Sequence, residues 1–194
     1  MLGNNWQELL IRINNTILTD KEVVRLMGNP ETLFYPSVSK DQLDEAEKRL
    51  GVKLPFSYKQ FLLVSNGFKI LSNFYWNILP VENIQWLKDF DSGLIETYIN
   101  PSPDVTYPNV SDEEYFVYGE KQNSTSIRPE YLNNCLVISG WGDASLLLLN
   151  PEIKYNEEWE AWAFANWYPG AYRFKSFWEL VNEEFNAYVE LKNK

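Results

Sequence analysis

Between Ser39 and Gly67 the chain is punctuated so tightly that few local structures are open to it. Ser39 followed three residues later by Gln42 is a capping box that starts a helix. Leu43, Ala46, Glu47 and Leu50 recur at helical spacing, and Gly51 supplies the left-handed stop. Leu54-Pro55 then opens a second helix, with proline at the first helical position where its missing N–H costs nothing. Tyr58, Phe61, Leu62 and Ser65 share one face of it, and Asn66-Gly67 provides the next left-handed stop.

The same grammar predicts helices elsewhere. Residues 5–17 place Trp6, Leu9, Leu10, Ile13 and Ile17 on one stripe. Thr19 with Glu22 caps a short helix carrying Val23, Leu26 and Met27, which Gly28 and Pro30 stop. Ser176 with Glu179 starts a last helix carrying Phe177, Leu180, Val181, Phe185, Tyr188 and Val189. Between these ends the texture differs. Residues 74–79, Tyr115–Tyr118, Leu136–Ser139, Leu146–Asn150 and Trp159–Phe164 are short and rich in aromatic or branched side chains, and they are expected as strands. Gly140-Trp141-Gly142-Asp143 is the expected turn of a hairpin, and residues 100–110, with three prolines, a loop. Helices flanking a mostly antiparallel sheet make the fold class α+β. A length of 194 residues suits one domain, read as an N-terminal helical extension over 1–36 and a main domain over 37–194.

Composition narrows the function classes. Hydrophobic residues at 45% exclude a disordered chain, and no apolar run approaches the ~20 residues of a membrane span. The N-terminus lacks a basic segment followed by an apolar one, so no leader is expected. One cysteine, Cys135, cannot form an internal disulfide and is expected as a small core residue of a cytoplasmic protein. There is no histidine, which removes Ser-His and Cys-His nucleophile pairs and every histidine-containing metal site. No phosphate-binding or nucleophile-elbow motif occurs, and no cofactor or metal is expected. Asp89-Phe90-Asp91-Ser92-Gly93 is faintly like a calcium loop, but its glycine comes one place early and Asn100 stands where a bidentate Glu is required.

Two acid clusters, Asp112-Glu113-Glu114 and Glu157, Glu158, Glu160, are the only candidates for carboxylate chemistry. Both sit in polar runs and are expected as solvated faces, whereas a glycosidase pair needs one carboxyl in apolar surroundings. Trp159, Trp162, Trp167, Tyr168 and Tyr172 are expected to pack core or interface, with a sugar- or cation-stacking platform as the alternative.

The net charge of −10 is unevenly placed. Residues 82–120 hold nine acids against Lys88 alone, a local charge of −8. That repels a phosphate backbone, so no nucleic acid is expected as a partner. The alternatives are a solubilising face or a landing patch for a basic protein. On the second reading, partner contacts are expected at Asp89, Asp91, Asp112, Glu113, Glu114 and Asp143, with Trp141 as the aromatic anchor.

The block Ser39–Gly67, with its Glu-rich helix ending in Gly51, then Leu54-Pro55, Tyr58, Phe61-Leu62 and Asn66-Gly67, closely resembles the opening signature of the SUKH superfamily. Leu79-Pro80-Val81 with Ile84, Leu136–Ser139, Gly142-Asp143, Leu146–Asn150 and Ser176-Phe177 with Glu179-Leu180 are similar to its later motifs, in its order. The likeness covers about residues 38–190, and the chain departs from the pattern at 1–36 and in the acidic region 88–130. The resemblance implies an α+β domain without catalytic residues. Bacterial members are mainly immunity proteins that bind and neutralise a cognate toxin domain, often a nuclease, and a fungal relative regulates cell-wall synthesis as an interaction protein. The expected function is therefore that of an immunity protein for a basic toxin domain, with a cytoplasmic interaction scaffold as the alternative.

Overall fold

The computed structural model describes residues 5–72, 77–101, 104, 109–165 and 170–193. Five antiparallel strands form one sheet in chain order: β1 (Gln85–Trp86), β2 (Leu136–Val137), β3 (Ser145–Tyr155), β4 (Glu158–Ala165) and β5 (Gly170–Phe174). The sheet is covered on both faces. Leu147, Leu149, Trp159, Ala161 and Ala163 point into one core, whereas Leu146, Leu148, Trp162 and Phe164 point into another. The run Leu146–Leu149 is unbroken because both of its faces are buried.

The first core lies under α1 (Trp6–Ile17), α3 (Lys40–Leu50), α4 (Phe56–Leu62) and α8 (Phe177–Lys192). The expected helical stripes are those that bury: all five named residues of α1, all four of α3, and Tyr58, Phe61, Leu62 and Ser65 around α4. Both arms of the Ser39–Gln42 capping box form, and Gly51 is left-handed at φ 73°. Trp6 stacks on Phe177 at 5.5 Å and meets Phe61 edge-on at 5.4 Å, so the first helix is built into the same core as α4 and α8.

The structure corrects several details. The cap of α2 (Lys21–Leu26) is Asp20, not Thr19: its carboxylate accepts from the N–H groups of Glu22 and Val23. Asp20 also pairs with Lys192 at 3.1 Å, so tertiary contact favours the carboxylate over the hydroxyl next to it. Leu26, expected on the apolar face, is exposed. Pro55 stands one place earlier than expected, as the cap of α4, its carbonyl accepting from Lys59 N–H. Ser176 caps α8, but Glu179 reaches back to the N–H of Lys175 and not to that of Ser176. Tyr115–Tyr118 is no strand: α7 (Asp112–Tyr115) is a single helical turn running into it, capped by Ser111. Of the expected strand over 74–79, residues 74–76 lie outside the described residues, and Ile78 bridges both Phe68 and Ser139.

Asn66-Gly67 does not end α4, which stops at Leu62. It makes the reversal that carries the chain on to the bridge between Phe68 and Ile78. Gly67 has φ +90°, and a Cβ there would lie 2.5 Å from the carbonyl oxygen of Ile78. Asn66 Oδ1 accepts from Val81 N–H at 2.7 Å, pinning the same crossing. Gly67→Ala is expected to cost about 2 kcal/mol from the left-handed backbone alone, before the clash. A chemical-denaturation midpoint equal to that of the parent protein would show that the crossing is looser than this.

Candidate functional site

The other face of the sheet carries the segments in which the acids concentrate. α5 (Leu87–Phe90), α6 (Ser92–Ile99), α7 and the 3₁₀ turn Pro129–Asn134 lie over it, and Leu87, Ile95, Tyr98, Tyr115 and Leu132 fill the second core. These elements are short, so their polar residues reach the surface every few positions.

Each candidate contact residue has its own setting. Asp89 is exposed on α5. Asp91 caps α6, its Oδ1 accepting from Leu94 N–H at 2.9 Å. Phe90 between them lies 6.4 Å from the ring of Trp141, which stands 37% exposed in the β2–β3 hairpin beside exposed Asp143. The structure thus gathers Asp89, Asp91, Trp141 and Asp143 around one aromatic contact. That hairpin is the expected one, with Gly142 N–H donating to the Ser145 carbonyl.

Asp112, Glu113 and Glu114 form the turn of α7. Asp112 pairs with Arg128 at 2.5 Å, and Arg128 also donates to the Val110 carbonyl and lies 4.7 Å over the Tyr115 ring. Glu114 accepts the hydroxyl of Ser126. Two of these three acids therefore help hold the segment in place, and Glu113 alone is exposed without such a bond.

The largest departure from sequence expectation concerns Glu158 and Glu160, expected as solvated. Glu160 is fully buried on β4. Its carboxylate accepts from Tyr115 Oη at 2.7 Å, Tyr118 Oη at 2.6 Å, Trp162 Nε1 at 2.7 Å and Asn150 Nδ2 at 3.1 Å. Arg173, also fully buried, approaches it at 3.9 Å, donates to the Tyr115 carbonyl and lies 4.1 Å over the Tyr115 ring. Burial first, then the Glu160 charge, pushes the Tyr115 and Tyr118 phenols well above their ordinary range. Those hydroxyls stay protonated donors, and the cluster ties the segment 115–118 to the sheet. Glu158 is half-buried and accepts from Ser57 N–H at 2.9 Å and Ser57 Oγ at 2.6 Å; burial raises its pKa more than these bonds lower it. The missed signal was alternation in EWEAWAFA, which puts Glu160 on the face of Trp162 and Phe164, beside an arginine one strand away.

Other candidates resolve more simply. Trp159 and Trp162 are buried and Tyr172 is 44% exposed, so these three make no stacking platform; Trp167 and Tyr168 lie outside the described residues. Cys135 is buried and burial pushes its thiol up, as befits a core residue. Among the described residues, no group of three or more His, Cys, Asp or Glu is placed to hold a metal ion. No helix among them is long and apolar enough to cross a membrane.

No curated protein matches the chain closely enough to stand as a relative. A family model does match, over residues 37–190, that of the SMI1 / KNR4 family (SUKH-1). With most of its length matched, and with the helix, LP turn, helix and NG reversal standing in the structure where the motifs place them, the chain belongs to the SMI1 / KNR4 family (SUKH-1).

Proposed function

We propose that this chain is a bacterial, cytoplasmic immunity protein that acts by binding and not by turnover, neutralising a cognate toxin domain with a basic, nuclease-type surface. The observation that carries this reading is the exposed acid-and-aromatic patch around Phe90 and Trp141, with Asp89 and Asp143 at its edge. A nuclease must present a cationic cleft to its substrate, and an acidic surface both steers encounter with that cleft and competes for it. The aromatic centre supplies the anchor that charge alone lacks. Asp89 and Phe90 lie in the acidic region where the chain departs from the family pattern, as expected of a surface that distinguishes partners, whereas Asp143 belongs to the Gly142-Asp143 motif.

The test uses Asp89→Lys, Glu113→Lys and Asp143→Lys together, since these acids are exposed and none makes a side-chain hydrogen bond or ion pair among the described residues. The parent protein should restore growth to cells expressing the toxin domain encoded beside it. The triple variant moves the net charge from −10 to −4. Association should slow by roughly tenfold or more at low salt and lose much of its salt dependence, because charges at an interface edge act mainly on encounter. Full protection by the triple variant, with an unchanged on-rate, would reduce the acidic patch to a solubilising face.

A further inference from the structure

On the opposite side of the sheet three lysines come together. A half-open pocket of about 370 Å³ lies between the start of α4 and the tip of the β3–β4 hairpin, lined by Lys53, Leu54, Phe56 and Lys59 on one wall and Lys154, Asn156, Glu157 and Trp159 on the other. Three lysines face one lining carboxylate, and the buried Glu47 behind them takes two of the three, leaving Lys154 as the lysine of the lining that no carboxylate among the described residues holds.

The walls are tied together. Phe56 N–H donates to the Glu157 carbonyl at 3.0 Å, and Ser57 is held twice by Glu158. The lysines are placed as well. Glu47, buried at the end of α3, takes Lys53 at 2.5 Å, Lys59 at 3.4 Å and the N–H of Leu54 at 3.0 Å. Burial pushes the Glu47 carboxyl up, but these donors outweigh it and hold it below its ordinary range, so it stays ionised. Lys154 is exposed on β3, opposite Trp159 in the strand register. The apolar part extends beyond the pocket: Phe56, the first residue of α4, is 44% exposed, and Leu63, its C-terminal cap seven positions on, is 43% exposed. They therefore share one helix face about 10 Å long, with Lys59 between them.

We propose that this pocket and the exposed face of α4 form a second docking surface, for a protein segment that carries carboxylates around a bulky apolar side chain. The cations are complementary to the carboxylates, and the apolar groups of Phe56, Leu63 and the pocket floor receive the side chain. A small inorganic anion would satisfy the lysines and leave the α4 face bare, so the length of that face favours a polypeptide. Walls already fastened by the Phe56–Glu157 and Ser57–Glu158 bonds lower the ordering cost of docking. This surface is independent of the acidic patch and of the toxin reading.

The probe is a labelled peptide of six glutamates around a central phenylalanine pair, titrated into the full chain by fluorescence anisotropy at low and physiological salt. Saturable binding is expected, with Lys154→Glu weakening it about tenfold, since it removes an attraction and adds a repulsion. Phe56→Ala should weaken it severalfold while Asp89→Lys leaves it unimpaired. Both pocket positions are exposed at the surface, and circular dichroism confirms the fold of each variant. An all-glutamate peptide and inorganic phosphate should compete poorly. No saturable binding, or binding equal in Lys154→Glu and the parent, overturns the proposal. Phosphate competing as well as the peptide also overturns it, in favour of a simple anion site.

Discussion

Replacing Phe61 with alanine should lower the thermal midpoint by roughly 6–20 °C, the consequence of losing about 3–5 kcal/mol in a chain of this size. Phe61 is fully buried, and it is the ring through which three helices meet. It lies 5.4 Å from Trp6 of α1, 5.3 Å from Phe177 of α8 and 6.0 Å from Tyr58 of its own helix. The large rings around it cannot all collapse inward, so a cavity adds to the lost burial. Because Trp6 of α1 and Phe177 of α8 both lose a neighbour, both helices should exchange their amides faster than in the parent protein. Phe56→Ala, five residues earlier on the same helix but 44% exposed, is the control and should change stability by no more than ~0.5 kcal/mol. Equal midpoints for the two variants would mean that the helix face is wrong.

Glu160→Gln is expected to cost about 3–5 kcal/mol, because removing one member of a buried ion pair leaves the other charge uncompensated. Four donors converge on the Glu160 carboxylate, and a glutamine offers them one oxygen and two hydrogens facing the wrong way. Arg173 would remain fully buried, its Nε and Nη2 already without hydrogen-bond partners among the described residues and stabilised instead by the Tyr115 ring beneath. The double variant Glu160→Gln with Arg173→Leu should recover part of the loss, since no orphaned charge is left. The damage should also be local first. Tyr115 and Tyr118 are held to the sheet through Glu160, so protease cleavage near residues 112–122 should rise before global unfolding. A Glu160→Gln variant as stable as the parent would show that the ion pair with Arg173 and the four converging donors contribute nothing to stability.

These two positions differ in how visible they were in the sequence. Phe61 was legible because a helix repeats every 3.6 residues, and Tyr58, Phe61, Leu62 and Ser65 can share one face in no other regular structure. Glu160 was not, because its neighbours Glu157, Glu158 and Trp159 give the local impression of a polar run, and only pairing with β5 brings Arg173 alongside. Tyr115–Tyr118 failed for a related reason: aromatic residues favour strands on average, but Ser111 with three following acids starts a helical turn, and Glu160 then captures the tyrosines. Thr19 and Asp20 are equivalent caps in local terms, and Lys192, more than 170 residues away, decides between them.

The candidate surfaces divide in the same way. The acidity of residues 82–120 can be counted from the chain, but which carboxylates face a partner depends on whether Arg128 and Ser126 already hold them. The lysine pocket has no sequence signature, because Lys53, Lys59 and Lys154 meet only when the β3–β4 hairpin is laid against α4. The sequence by itself determined α1, α3, α4 and α8 with the faces they bury, the hairpin, the family and the absence of histidine chemistry, since each follows from spacing within a few residues or from composition. Tertiary structure alone decided which charges are buried, which are paired and which stand open to a partner. Charge is screened or unscreened by what surrounds it, and those surroundings come from residues a hundred positions away.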